Sequence, residues 1–284
     1  TCVGRNHFIA KKKRPLSVIV HVVRCFDDEN VIHVEGSTDP IRDIDIIDLE
    51  LIMADLEMVE RRIDKDTKAG KGDKKFLHSA EVFKGLRDWL NEGKSARSYP
   101  CDEEAREILH TADLLTLKPV IFAANMDEEG FKHHDGNPYY QAVVQAAQTE
   151  EAQVIPICAN VEADIAAMDP EDRALFLADL GVEQSGLDRL IRACYSLLGL
   201  ISYLTAGQPE VRAWTIKKGT KAPQAAGKIH SDFERGFIRA EVIGYQELLD
   251  NGSIAAAKEK GLVRSEGKEY VMQDGDVVLF RFNV

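Results

Sequence analysis

Pro119-Val120-Ile121-Phe122-Ala123-Ala124-Asn125-Met126-Asp127-Glu128 is the stretch on which the fold turns. Val120 to Ala124 form an unbroken apolar run, the pattern of a parallel strand covered on both faces, and Asn125 to Glu128 make a polar loop at its carboxyl end. Ligands of open α/β sheets bind outside the carboxyl ends of the strands. An amide and a carboxylate three residues apart on such a loop suit the edge of a purine base, because Asn donates and accepts while an ionised Glu only accepts. An ordinary polar turn is the competing reading of the same residues.

Two further runs extend the pattern. Ser17 to Val23 is β-branched, apolar and of strand length, and Phe26 sits just beyond it, either facing a planar ligand or plugging the core beneath the loop. Gln153 to Ile157 reads as a third strand ending in Cys158-Ala159-Asn160, small residues that let a base approach the backbone or simply pack a helix turn. A helix over Asn137 to Thr149 joins the last two strands. Three strand ends, at Phe26, Asn125 and Cys158, therefore gather on one edge of a parallel sheet.

Elsewhere the period is helical. Leu49, Ile52, Leu56, Val59 and Ile63, then Phe76, Ala80, Phe83, Leu86 and Leu90, mark two amphipathic helices joined by a Lys/Gly-rich turn, an antiparallel hairpin inserted over 45–100. Gly93-Lys94-Ser95 resembles the tail of a phosphate loop, but GxxxxGK(S/T) needs glycine where Asp88 stands. His133-His134 lacks further ligands at metal spacing and reads as surface loop. Asp169 to Leu180 and Ser185 to Leu204 read as helices, the second closing the first domain. Thr205 to Pro209 is a breaker cluster and the expected boundary. Beyond it, strand signals at 211–216, 237–242, 270–272 and 277–282 with short intervening helices fit a β-grasp.

The 284 residues carry a formal net charge of -12, which argues against a protein that coats nucleic acid by bulk electrostatics. Five scattered cysteines without a Cys-x-x-Cys pair point to a reducing, cytoplasmic setting. No run approaches the roughly 20 apolar residues that cross a bilayer. Neither membrane nor DNA is expected as a partner.

Taken together, the chain from about Ser17 onward resembles the YchF family of Obg-like ATPases. The resemblance is carried by His21 to Phe26, Asp39 to Ile44, Leu114 to Val120, Asn125 to Glu128, Thr205 to Gly207, Arg212 to Gly227, His230 to Val242 and Gln273 to Val277. It implies an α/β fold: a partial P-loop NTPase, G-domain-like parallel sheet over 1–44 and 101–204, a coiled-coil hairpin over 45–100, and a carboxyl-terminal TGS domain of β-grasp form over 205–284. It also implies a redox- or stress-linked, ribosome-associated ATPase that prefers ATP to GTP and hydrolyses it slowly with Mg²⁺. The family writes the GTPase NKxD loop as NxxE, and Asn125 and Glu128 occupy those positions. By the same resemblance Phe26 and Met126 flank the adenine, and Cys158, Ala159 and Asn160 form the next base-contacting loop.

One departure limits this. Neither GxxxxGK(S/T) nor the DxxG segment that senses the γ-phosphate occurs in the 284 residues, and residues 6–10 look like a remnant of the segment after DxxG. The expectation is an amino-terminally incomplete chain that reads the base but does not hydrolyse ATP, with no catalytic residue and no metal ligand of its own. The alternative is a non-catalytic ribosome- or RNA-binding module acting through the TGS domain and hairpin, in which Lys217, Lys218, Lys221 and Lys228 form a local basic cluster.

Overall fold

The structure, a computed structural model, describes residues 17–31, 36–150, 152–207 and 210–283. Cys2, the segment 6–10, the basic run 11–14, and Gln208 and Pro209 of the breaker cluster lie outside the described residues. The chain divides into two compact units, Thr1–Cys194 and Tyr195–Val284.

In the first unit, β1 (Ile19–Arg24), β2 (Val120–Asn125) and β3 (Gln153–Ile157) form a parallel sheet in that order. The central strand buries every residue from Val120 to Ala124, as a strand covered on both faces must. Its even-numbered residues join Ile19 and Val23 in one core, and Ile121 meets Ile155 and Ala193 in another.

Between β1 and β2 the chain forms α1 (Pro40–Ala69), α2 (Lys74–Asn91) and α3 (Glu103–His110). The first helix begins before the hydrophobic period does, because Asp39 caps it by accepting from Arg42 N at 3.1 Å, with proline in the first turn. Ile44 lies in the sheet core, whereas Ile52, Val59 and Ile63 pack against Phe83, Leu86 and Leu90 of α2. Leu109 and Leu114 complete that second core, so the helical layer reaches beyond residue 100 toward β2. Leu49 departs from expectation at 54% exposed. The 18 residues of α2 cannot cover the 30 of α1, and its amino-terminal half is left partly bare.

Two aspartates take places on the buried stripe of α1. Asp55, fully buried, accepts from Leu115 N, Thr116 N and Thr116 Oγ1, each at 2.7 Å. Thr116 Oγ1 in turn accepts from Ala96 N at 3.0 Å. The carboxylate thus ties the hairpin to the lead-in of the central strand. Burial pushes its pKa up, and these hydrogen bonds oppose that shift. Asp66 joins the two helices by accepting from Ser79 Oγ at 2.6 Å and Arg62 Nε at 2.8 Å.

After β3 come α6 (Ala159–Ala167), α7 (Pro170–Asp179) and α8 (Gly186–Leu197); α4 (Glu128–Lys132) and α5 (Pro138–Thr149) lie between β2 and β3. The helix expected to run to Leu204 stops at Leu197. Gly199, at φ +59°, turns the chain, and Leu200–Ala206 is strand β4. The compact division accordingly falls between Cys194 and Tyr195, not at 205. Thr205 and Ala206 of the breaker cluster instead end β4, which pairs antiparallel with β5 (Val211–Lys217).

The second unit continues through α9 (Ala222–Ile229), α10 (Ser231–Arg235), β6 (Phe237–Gly244), α11 (Tyr245–Asn251), α12 (Ile254–Glu259), β7 (Arg264–Glu266) and β8 (Asp276–Phe282). Its sheet runs β5-β4-β8-β6-β7, with β4 parallel to β8 and the other pairs antiparallel. Tyr203, Val242, Val278 and Phe280 share a core with the alanines of α9, while Leu204, Ile243 and Val277 pack with Ala257 of α12 in a separate one. Alternation along each strand sends these sets to opposite faces. The strand expected at 270–272 is a single bridge, Lys221 to Val271. One edge strand, β7, is the charged Arg264-Ser265-Glu266, a composition that suits an unpaired edge and gives no apolar signal.

Replacing Asp55 by Ala leaves two buried N–H groups unpaired, so urea unfolding should show a loss of roughly 3 kcal/mol. A loss below about 1 kcal/mol, the net worth of a single ordinary hydrogen bond, would show that the carboxylate does not anchor the hairpin.

Candidate functional site

Parallel pairing sets Arg24 beside Asn125 and Asn125 beside Ile157, so the three strands end level. Two backbone hydrogen bonds carry the alignment one residue further, Cys25 N to Asn125 O at 2.7 Å and Met126 N to Ile157 O at 2.9 Å. Phe26, Asn125 with Glu128, and Cys158 to Asn160 therefore converge on the carboxyl edge, as their positions after three strands predict.

Their side chains take different places. The Asn125 Oδ1 accepts from Ala159 N at 3.0 Å, which locks the amide across two strand ends and leaves Nδ2 without a partner among the described residues. Glu128 opens α4 and is exposed, with Oε1 held by Lys132 Nζ at 2.8 Å. Ala159 and Asn160 are exposed in the first turn of α6. The Phe26 ring is partly buried under the Arg24 guanidinium, 4.8 Å from its centroid. Met126 is different: at 2% exposure it lies in the core with Val120, Phe122 and Ala124, in phase with them by strand alternation, so its side chain does not reach the rim. Cys158 is likewise buried beneath the loop.

Residues outside the sequence reading hold this edge together. Asn137 caps α5 by accepting from Tyr139 N and Tyr140 N, and its Nδ2 donates to Cys25 O at 3.0 Å. Tyr139 OH donates to Asp27 Oδ2 at 2.8 Å, a contact that holds the Asp27 carboxyl below its ordinary range. The Asn137-Pro138 pair is a readable helix start; its reach to β1 is not readable. A Cβ at Gly130 would stand 2.7 Å from the Asp127 Oδ1 that caps α4, so a larger residue there would shift that cap.

A cleft of about 770 Å³ lies at the opposite, amino-terminal edge, lined in part by Asp45, Asp48, Arg97 and Glu150. There Arg97 holds Lys118 O and Glu150, ahead of β2 and β3. Burial, then Glu150, pushes Asp48 up to about 6. Ligand chemistry of the parallel-sheet kind belongs to the other edge. Among the described residues no group of three or more His, Cys, Asp or Glu side chains could hold a metal ion, and no helix is long and apolar enough to cross a membrane.

Comparison with known proteins matches both units. A family model named YchF-GTPase_C, described as a protein of unknown function, matches residues 200–283. Over 272 residues the chain is 50% identical to the ribosome-binding ATPase YchF of Bacillus subtilis (strain 168), covering 95% of this chain and 74% of that protein. It is 46% identical over 280 residues to the protein of the same name from Haemophilus influenzae, covering 98% and 76%. The solved structure of the Schizosaccharomyces pombe YchF GTPase superposes with a TM-score of 0.78 at 36% identity, covering 94% of this chain and 72% of that one.

The chain belongs to the YchF family. The YchF relationship spans the sheet unit, the helical hairpin and the mixed five-stranded unit alike, since it covers nearly the whole chain. Two cysteines of this YchF chain stand at strand ends and are chemically quiet. Burial pushes the Cys25 thiol up to about 12 and also raises Cys158. Alkylation at pH 8 followed by mass spectrometry should therefore modify the part-exposed Cys101 faster than the buried Cys25 and Cys158. Equal rates in the folded protein would mean that the strand ends open to solvent.

Proposed function

We propose that the carboxyl edge of the parallel sheet is an adenine-reading site and that the chain acts as part of a ribosome-associated ATPase. The Asn125 amide carries the reading. Fixed by Ala159 N, it directs a free Nδ2 donor outward, suited to an acceptor on the purine ring. Glu128 supplies an acceptor for the exocyclic amino group of adenine. Ala159 and Asn160 form the rim, and Phe26 is placed to face the base once Arg24 shifts; Met126 and Cys158 shape the floor from below. The names of the relatives, ribosome-binding ATPase, support both the nucleotide and the partner.

The fit extends to the base and not to the phosphates. No GxxxxGK(S/T) loop occurs in the 284 residues, so nothing here supplies the lysine or the hydroxyl that would hold triphosphate and Mg²⁺. When bound, Mg²⁺ would neutralise phosphate charge, and no residue of the strand-end site is placed to ligate it. We therefore propose binding of ATP over GTP without turnover by this chain. The hairpin serves as a coiled-coil arm, and the five-stranded mixed sheet crossed by α9 supports a TGS assignment of β-grasp form. A stress-linked redox signal, on this reading, does not enter through Cys25 or Cys158, whose thiols are buried.

Calorimetry of this chain should register ATP binding, weaker GTP binding, loss of both in Asn125→Ala, and no phosphate release. Turnover of ATP would overturn the reading of binding without hydrolysis, and unchanged affinity in Asn125→Ala would overturn the site.

One observation favours the second reading, an RNA-binding module. On the second unit's sheet, Arg281 Nε at 2.9 Å, Lys258 Nζ at 2.8 Å and Arg239 at 3.6 Å share the single carboxylate of Glu241, and the first two hold its pKa down at about 2. Three cations on one anion leave a local positive excess on an acidic chain. Of the lysines singled out in the sequence, Lys221 is ion-paired with Glu269, whereas Lys217, Lys218 and Lys228 stand exposed or partly exposed. If this face contacts RNA phosphates, Glu241→Gln should tighten binding of a short RNA and steepen its salt dependence by about one unit of slope. Weaker or unchanged binding assigns the cluster to sheet stability alone.

A further inference from the structure

We infer that Lys132 sets the base preference of the strand-end site by competing for one of the two oxygens of Glu128, an inference that rests on the adenine-site reading. The two residues face each other across one turn of α4, with Lys132 Nζ 2.8 Å from Glu128 Oε1 and no second partner on Oε2 among the described residues. Lys132 is the less exposed of the two, 32% against 61% for the Glu128 side chain, and both stand at the solvent edge of α4. An N–H group brought to Oε1 meets that ammonium; one brought to Oε2 does not.

The purine bases differ in what they ask of such a group. Guanine presents N1–H and the 2-amino group side by side, two donors that a free carboxylate satisfies with both oxygens. Adenine presents one exocyclic amino group next to a ring acceptor. A carboxylate with one oxygen already accepting from an ammonium matches the single donor of adenine, whereas the second guanine donor must share that oxygen with Lys132 and is held less well. A second commitment works in the same direction. Ala159 N, a backbone donor at the neighbouring strand end that could otherwise meet guanine O6, is already used by Asn125 Oδ1 at 3.0 Å. The site has thus engaged one donor and one acceptor that guanine needs. Specificity arises here from groups made unavailable, without a steric barrier. Lys132 acts as a positioning residue, through Glu128.

The test uses this full chain, with ATP, GTP and ITP as probes, in Lys132→Gln and Lys132→Arg proteins. ITP carries N1–H but lacks the 2-amino group. Releasing Oε1 in Lys132→Gln should lower the ratio of GTP to ATP dissociation constants roughly threefold to fivefold, the range open to an exposed ion pair. GTP should gain more than ITP, because the freed oxygen serves the second donor, and Lys132→Arg should keep the original ratio. Thermal unfolding should be unchanged, since the pair is exposed. An unaltered ratio in Lys132→Gln with ATP binding intact would overturn the inference and leave the adenine site standing. Absence of binding of every nucleotide by the unmodified chain would overturn the site itself, and the inference with it.

Discussion

The Asp55 carboxylate is the contact on which the first unit depends. A buried anion is tolerated only where its lone pairs are taken up, and here three donors from Leu115 and Thr116 do so at 2.7 Å. Those donors lie just ahead of the central strand, 60 residues away in sequence at Leu115. The bond therefore joins the middle of α1 to the end of the segment that separates β1 from β2. Thr116 extends it to the turn at Ala96, and Arg97 extends it again to Lys118 O and Glu150. Where β2 begins is fixed from the helical layer. The level strand ends at Arg24, Asn125 and Ile157 follow from that start, because parallel register propagates one residue at a time.

How much of this is legible in the sequence varies with the physics that carries the signal. The apolar run Val120 to Ala124 and its polar loop announce a doubly covered strand, since burial on both faces leaves no room for alternation. The hairpin is legible from period alone. Asp55 is not: an aspartate between apolar positions reads as solvent face, and its partners are remote in sequence. Met126 misleads for the opposite reason, as proximity to Asn125 in the loop suggests a ligand contact while phase with Phe122 and Ala124 sends it inward. At Leu200 to Leu204 dense apolar residues mimic a continuing helix, and the decisive signal is Gly199, whose left-handed φ ends it.

The strand-end site is built largely from side chains bound to backbone. Asn125 is fixed by Ala159 N, and Asn137 joins Cys25 O to the start of α5. Such bonds cannot be read from residue type, because any backbone amide can supply the partner. They are also stiff: the partner moves only if its strand or helix moves. Under the proposed adenine reading, these groups are pre-positioned, and a base need not spend binding energy on ordering them. Glu128 alone is held by a flexible side chain, which makes it the adjustable element of the edge.

The shared membership of α1 in two cores has a mechanical consequence. Ile44 seats its amino end against the sheet, Asp55 ties its middle to Leu115 and Thr116, and Ile52 to Ile63 pack against α2, so the helix is a beam pinned as far as its midpoint. Thirty residues at about 1.5 Å each give a beam about 45 Å long. The stretch beyond Asp55 is about 20 Å of that length, so a tilt of about 5° at the pin carries the tip near Gly70 through only about 2 Å. Pinned at its middle, the arm is a short, stiff bracket.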